Sequence, residues 1–211
     1  MIQENLNWKG HIDQVCNKIS RTIGILAKLK HYIPRNVLLI IYNSLCLSHV
    51  SYALPVWGGA SPGTYKRLVI LLKKGIRHVC NAKYNSHTEI LFKECKVLKF
   101  GDMYKLQCIK LMYKKIDKNI HPYLASKLPL KRDIVDIQTR QSYDVVINKH
   151  NRLLEINSLN YKVASCWNGL PFELKTNAHK SLQTFVKYVK LHFLAEYETE
   201  CAIPNCYICS R

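Results

Sequence analysis

The sequence predicts a mainly α-helical protein, and three observations lead to that fold class. Apolar side chains recur at helical spacing in several long stretches, the first of which contains Ile12, Val15 and Ile19. Hydrophobic residues make up 48% of the 211-residue chain, which is ample for a packed core. Glycine and proline are concentrated between two of these stretches, in residues 51–63. We therefore expect a helical bundle followed by a second, mostly helical region.

The first half of the chain divides into predicted elements in a clear order. One amphipathic helix is predicted over residues 10–31 and a second over residues 34–50, where a proline in the first turn is tolerated. Residues 51–63 are predicted to form a loop, with Trp57 packed beneath it. A third helix follows over residues 64–81.

The second half is less regular until its end. Ser86-His87-Thr88-Glu89 has the pattern of a capping box that opens a fourth helix, and Asp102 is placed to cap a fifth. Residues 119–160 show weaker periodicity, and short turns there leave room for weak strands. Helical spacing returns over residues 181–194.

We expect two domains. The first is a helical domain over residues 1–85, and the second is a C-terminal helical region over residues 86–211 that ends in a cysteine-containing tail. The boundary is expected between residues 82 and 100, and a boundary in the polar stretch after Leu128 remains an alternative.

The charge balance indicates a polyanionic partner. Lysine and arginine number 32 against 14 acidic residues, a formal net charge of +18. Such an excess fits nucleic acid or an anionic membrane surface, and the plainer alternative is a basic protein without a specific target. Residues 36–65 lack charged side chains, but polar residues interrupt them too heavily for a membrane span. We therefore expect no membrane partner.

The third helix carries the clearest functional signal. Lys66, Lys73 and Arg77 fall within about 20° of one line along the helix. Arg67 and Lys74 lie further round the same side, and no acidic residue occurs between positions 63 and 83. The opposite side is apolar and would anchor the helix to its neighbours through Leu68, Leu71, Leu72 and Ile76.

A basic helix face of this kind can neutralise phosphates with little dependence on base sequence. These five basic residues are therefore the predicted nucleic-acid-binding residues. Two alternatives remain open: a solvated face without a ligand, and a helix lying on anionic lipid.

The chain shows no pattern that would carry catalysis. Its aspartates are scattered, and none lies in the Tyr-x-Asp-Asp hairpin that holds metal ions in a polymerase. No phosphate-binding glycine loop or nucleophile motif is present, so no catalytic residue and no cofactor are expected. Trp57 and Trp167 are candidates for base stacking, but core packing is the preferred role for both.

The cysteines supply one weak metal candidate. Cys201, Cys206 and Cys209 have the spacing C-x4-C-x2-C, whereas a structural zinc site needs four ligands and His192 is the nearest addition. We expect no metal here, with a small zinc-dependent binding module as the alternative. The odd total of nine cysteines and the polar N-terminal start favour a reducing, intracellular location in nucleus or cytoplasm, without secretion.

Several short blocks stand in order along the chain, and together they carry a resemblance. The blocks are Asn5–Ile12, Tyr42–Leu45 with Tyr52 and Trp57-Gly58, Leu71–Arg77, His87-Thr88 with Leu91-Phe92, Thr139-Arg140, Trp167–Pro171 and Phe185. Taken together they resemble the region C-terminal to the palm in reverse transcriptases of non-LTR (LINE-type) retrotransposons of the jockey and CR1 kind. The resemblance covers about residues 3–192.

The resemblance implies a fold and a role. Residues 8–80 would form the helical thumb, which grips the primer–template duplex, while the palm and its paired aspartates would precede residue 1. RNA or an RNA–DNA duplex would then be bound through its phosphates. The parent RNA-directed DNA polymerase would need Mg²⁺, and this truncated chain would be inactive alone. Self-association through an exposed palm-facing surface is a further expectation.

The sequence also departs from the family pattern. Ser48 stands where proline is usual, Ala53 where glycine is usual, Leu72 where glutamine is usual and Gly75 where alanine is usual. A glycine within a helix costs up to about 1 kcal/mol relative to alanine. Such changes are typical of a drifting copy, so a non-functional relic of a mobile element is the alternative to a working nucleic-acid-binding fragment.

Overall fold

The computed structural model describes residues 8–134, 141–147, 156–176 and 181–197. Within these residues the protein is mainly α-helical, which confirms the predicted fold class. The described residues contain no strand, and their β pairing is one isolated antiparallel bridge between Leu130 and Val145. The weak strands anticipated in residues 119–160 are therefore reduced to that bridge where the structure describes them.

The chain divides into two compact units. The first takes its described residues from 8–100 and 194–197, and the second from 101–193 with the gaps given above. The helices of the first unit are α1 (Lys9–Leu29), α2 (Arg35–Tyr42), α3 (Ser48–Ser51), α4 (Leu54–Trp57), α5 (Pro62–Val79) and α6 (Thr88–Glu94). The second unit is built from α7 (Phe100–Ile116), α8 (Pro122–Ser126), a 3-10 turn (Lys131–Asp133), α9 (Leu159–Asn168), α10 (Phe172–Thr176) and α11 (Leu182–Ala195).

The first unit continues past residue 85 to Phe100, the end of the range 82–100 in which the boundary is expected. Helix α6 belongs to it because Phe92 is buried and Arg35 of α2 pairs with Glu94 at 2.8 Å. The backbone N–H of Lys99 also donates to the hydroxyl of Tyr197 at 2.8 Å, which fastens the segment after α11 to the same unit. These contacts join residues far apart in the chain, so sequence composition does not predict them.

The second predicted helix is interrupted. A π turn over Asn43–Leu47 separates α2 from α3. Hydroxyl groups in this stretch donate to carbonyls of the preceding turn, as in Ser44 to Ile41 at 3.3 Å and Ser51 to Ser48 at 3.1 Å. Serine side chains that compete for helical carbonyls distort a helix locally, which periodicity does not reveal.

The predicted loop over residues 51–63 is partly helical. Ala53 has a left-handed backbone with φ 49°, and α4 begins directly after it. Trp57 at the end of α4 is 1% exposed, and its indole N–H donates to the carbonyl of Tyr52 at 2.8 Å. The indole therefore packs beneath this segment as predicted, and its hydrogen bond closes the turn.

Two predicted helix caps are wrong. Helix α6 begins at Thr88 with His87 as its N-cap, and no side chain caps it, so Ser86 and Glu89 do not form a capping box. Helix α7 begins at Phe100, so Asp102 lies inside the first turn and pairs with Lys105 at 3.1 Å. Asp102 is therefore not the N-cap residue, and an acidic side chain in a first turn is favoured by the helix dipole.

The core of the first unit lies between α1 and α5. Helix α1 buries Cys16, Ile19 and Leu26 completely. Helix α5 buries Leu68, Leu72 and Ile76, while Leu71 is half-buried. The predicted apolar side of α5 is thus the buried side, and its basic side is turned to solvent.

Gly75 brings α2 against the backbone of α5. A Cβ atom at Gly75 would lie 2.5 Å from Cε2 and 3.0 Å from Cδ2 of Tyr42. The Tyr42 ring is fully buried, and its hydroxyl donates to the carbonyl of Leu72 at 3.2 Å. The glycine, which the sequence alone presents as a helix-weakening departure, is therefore a packing requirement.

The second unit is organised around the end of α9. The indole N–H of Trp167, which is completely buried, donates to the carbonyl of Tyr143 at 2.8 Å. The amide of Asn168 accepts from the N–H of Val145 at 2.8 Å and donates to its carbonyl at 2.9 Å. Lys175 is 6% exposed and binds Asp144 at 2.7 Å. Residues 141–147 are thus held by side chains of α9 and α10.

We expect Gly75→Ala to lower the free energy of unfolding by about 1 to 3 kcal/mol, because the new methyl group overpacks against a Tyr42 ring that cannot retreat. Gly24→Ala in α1 is the matched control, since its Cβ would meet nothing within 4 Å. That variant should gain up to about 1 kcal/mol from helix propensity. Urea denaturation followed by circular dichroism measures both, and equal effects of the two substitutions would contradict the packing role of Gly75.

Asn168→Ala should destabilise the second unit by about 1 to 3 kcal/mol, because it leaves both backbone groups of Val145 without their side-chain partner. Asn160→Ala on the same helix is the control, because its side chain makes no hydrogen bond to another described residue. Thermal denaturation distinguishes the two variants. An unchanged melting temperature for Asn168→Ala would show that the two hydrogen bonds between Asn168 and Val145 contribute nothing to stability.

Candidate nucleic-acid interface

The basic face of α5 is the candidate site, and three of its five predicted residues are open to solvent without an acidic partner. Lys66, Lys73 and Lys74 are exposed and form no ion pair with another described residue. Ile70, half exposed at 51%, lies between Lys66 and Lys73 on the same side. These three lysines form what we call the lysine face.

Arg67 is exposed, but its side chain contacts two residues of α1. Its guanidinium donates to Oδ1 of Asn17 at 3.2 Å and lies 3.8 Å from Oδ1 of Asp13. Both charged side chains remain about half exposed, so this pair contributes little stability. The guanidinium is therefore positioned at the edge of the lysine face, with part of its charge balanced by Asp13.

Arg77 has a structural role. It is half-buried, and its Nε donates to the carbonyl of Ser86 at 2.9 Å, which fastens the segment between α5 and α6. Burial lowers the pKa of Arg77. The helical projection places Arg77 correctly with Lys66 and Lys73, but a projection does not show the loop that folds back over the last turn.

Lys30 lies near α5, although the periodicity of that helix does not point to it. Burial, followed by the positive charges of Lys30 and Lys74, lowers the pKa of His78. The residue after α1 thus lies close to the last turns of α5, just as Asn17 lies beside Arg67. The two helices therefore run in the same direction, and Lys30 places a further positive charge near the C-terminal end of α5. Only the packing of α1 against α5 brings these positions together.

Other predicted candidates fall elsewhere. Trp57 and Trp167 are buried, so the preferred role in core packing is confirmed for both. The three candidate zinc ligands Cys201, Cys206 and Cys209 lie outside the described residues. Within the described ranges, no group of three or more His, Cys, Asp or Glu side chains is arranged to hold a metal ion. None of the helices described is both long and apolar enough to cross a membrane.

The geometry defines a helical protein with a rigidly mounted basic helix face. Ammonium groups are able to bind anions, and the described lysine face includes no carboxylate that would balance their charge. Comparison with protein-family models, curated proteins and solved structures gives no significant match for this chain.

Substitution of Arg77 should affect stability, whereas substitution of Lys73 should not. We expect Arg77→Gln to lose about 1 kcal/mol with its hydrogen bond to Ser86. Lys73→Gln should stay within about 0.5 kcal/mol of wild type, because the side chain is exposed. Chemical denaturation of both variants measures their stabilities. Equal stabilities would show that Arg77, like the exposed lysines, has no structural role.

Proposed function

We propose that this chain is a thumb and C-terminal region of a non-LTR retrotransposon reverse transcriptase, and that it binds an RNA–DNA or RNA duplex through phosphates. The observation that carries the proposal is the lysine face: three exposed lysines without acidic partners among the described residues, on a helix whose opposite side is buried. Arg67 lies at the edge of this surface, and Lys30 places a further positive charge near the C-terminal end of α5. The chain itself would bind, and the polymerase chemistry would belong to the parent protein.

The packing of α5 suits a helix that contacts the phosphates along a nucleic-acid backbone. Lys66 and Lys73 are seven residues apart, so their Cα atoms lie about 10 Å apart along the helix axis. Because Leu68, Leu72 and Ile76 are buried, the helix cannot roll, and its lysines keep one side toward a ligand. Ammonium groups on long stems adapt to phosphates without reading bases, so affinity would depend on salt and little on sequence.

The buried side of α5 also argues against the membrane alternative. A helix lying on anionic lipid must place its apolar side in the bilayer interface. In this structure that side packs against α1 and α2, with Leu72 and Ile76 almost inaccessible. Lipid binding would require α5 to leave its own core.

Several described residues of the blocks that carry the resemblance are buried, which supports the proposed family, while the Thr139-Arg140 block lies outside the described residues. Tyr42 and Trp57 are buried in the first unit, and Trp167 is buried in the second. Ala53, where the family usually has glycine, adopts a left-handed backbone with φ 49° that favours glycine. Buried residues and special backbone conformations determine a fold, so the resemblance concerns the fold of the chain.

The proposal includes a palm-facing surface on the first unit. Ile40 of α2, Leu45 of the π turn and Val56 of α4 are exposed at 63%, 43% and 54%. Exposed apolar side chains contact another protein surface where they form a continuous patch. In the isolated chain they are the candidates for self-association.

Removing the lysine face should weaken duplex binding and its salt dependence together. We expect Lys66→Gln/Lys73→Gln/Lys74→Gln to reduce the slope of log K against log salt by about 2 to 3 for an RNA–DNA hybrid duplex. The loss should be similar for duplexes of different base sequence, because phosphate contacts carry no sequence information. Fluorescence anisotropy at several salt concentrations measures both quantities.

The control removes the same charge from the second unit, as Lys114→Gln/Lys118→Gln/Lys187→Gln, where all three lysines are exposed. Its salt slope should stay close to that of wild type. Equal losses for the two triple variants would show that net charge alone drives binding. Absence of binding by wild type at low salt would instead favour the relic alternative.

A further inference from the structure

Two thiols lie in contact where α5 and α6 end. Cys80 is the C-cap residue of α5 and Cys95 that of α6, and their Sγ atoms are 3.3 Å apart. A disulfide bond is about 2.05 Å long, so the two sulfurs need to approach by about 1.2 Å. Cys80 is partly accessible and Cys95 is 7% exposed. Neither residue belongs to the lysine face.

A guanidinium group supports this pair. Arg35 Nη2 lies 3.3 Å from Sγ of Cys95 and 2.8 Å from Oε2 of Glu94, so one side chain bridges both residues. The hydrogen bond from Cys80, followed by Arg35, lowers the pKa of Cys95 despite its burial. The same thiol contact raises the pKa of Cys80. Cys95 is therefore the nucleophilic sulfur, and Cys80 is its protonated neighbour.

We propose that Cys80 and Cys95 are a reversible redox-modification site, at which a small peroxide such as hydrogen peroxide converts the two thiols to a disulfide. The contact of the two sulfurs and the guanidinium beside one of them carry this inference, which goes beyond the nucleic-acid binding proposed above. A small oxidant is required because Cys95 is nearly buried.

The reaction proceeds in two balanced steps. The thiolate of Cys95 attacks one peroxide oxygen, the O–O bond breaks, and hydroxide leaves and takes up a proton to give water and a sulfenic acid. Cys80 then attacks the Cys95 sulfur as it loses its proton, the S–O bond breaks, and a second water leaves. Two thiols are oxidised by two electrons and one peroxide is reduced to two waters. A dithiol reductant restores the starting state.

The other described cysteines are less suited to this chemistry. Cys16 and Cys46 are fully buried, and burial raises the pKa of Cys46 to about 12. Cys108 and Cys166 form a second neighbouring pair, in which a hydrogen bond from Cys108 lowers the pKa of Cys166. That pair lacks a contact with arginine among the described residues, and Cys108 is inaccessible. It is therefore an internal comparison for the first pair.

The bond would lock the segment between α5 and α6. Residues 81–94 would be closed into a loop, and this loop contains Ser86, which already accepts the hydrogen bond from Arg77. A cross-link of this length constrains the unfolded chain, so the oxidised first unit should melt at a temperature higher by more than about 5 °C.

Peptide mapping tests the proposal directly on the full chain. Reduced protein is treated with hydrogen peroxide at pH 7, free thiols are blocked with iodoacetamide, and the chain is digested with trypsin. We expect residues 78–83 (HVCNAK) linked to residues 94–96 (ECK), with the link removed by dithiothreitol. It should form faster than any link between Cys108 and Cys166. If these two peptides stay alkylated, or link more slowly than the second pair, the proposal is overturned.

Two variants test the chemistry behind the link. Arg35→Gln should slow its formation about tenfold, because it removes the cation beside the thiolate, whereas Arg21→Gln on the exposed side of α1 should not. Cys80→Ser should leave a sulfenic acid at Cys95, which is trapped by dimedone added together with urea, because the folded chain nearly buries this sulfur. This measurement keeps the test valid if Arg35→Gln fails to fold. An unchanged rate in folded Arg35→Gln, or no trapped sulfenic acid, would contradict the assigned roles.

Discussion

The burial of one side of α5 is the constraint on which the rest of the first unit depends. Leu68, Leu72 and Ile76 fill the space against α1, and the Tyr42 ring of α2 lies on the backbone at Gly75. Burial of each such side chain is worth about 1.5 to 3 kcal/mol, so rotation of α5 about its axis is strongly disfavoured. The direction of the lysine face follows from this packing.

A fixed helix also explains why the five basic residues of α5 differ in role. Charges that point away from both α1 and α6 remain open to solvent, as Lys66 and Lys73 do. Arg67 lies near enough to α1 to meet Asn17, and Arg77 lies near enough to the segment before α6 to bind Ser86. The basic residues of this one helix therefore divide into solvent-exposed and structural groups, according to what packs beside each turn.

The two units use their large aromatic residues in the same way. Trp57 and Trp167 each bury the ring and donate the indole N–H to a backbone carbonyl of a nearby irregular segment. Buried polar groups need such partners, so each tryptophan joins a helix end to a chain segment that has no regular hydrogen bonding of its own. Both tryptophans belong to the blocks on which the proposed relation to reverse transcriptases is based.

By itself the sequence determined the helical class, the approximate bounds of α1, α5 and α11, and the apolar and basic sides of α5. These depend on local periodicity, which a chain displays residue by residue. It did not determine the π turn, where serine hydroxyls compete for helical carbonyls. Nor did it determine the left-handed Ala53 or the N-cap of α6, because helical periodicity does not define where a helix begins.

Only the tertiary structure decided which basic residues are available, why Gly75 is needed and which thiols meet. Lys30 lies near His78, and Cys80 approaches Cys95, across separations of 48 and 15 residues. Contacts of this kind arise from the close packing of whole helices, and the pattern along a single helix does not contain them.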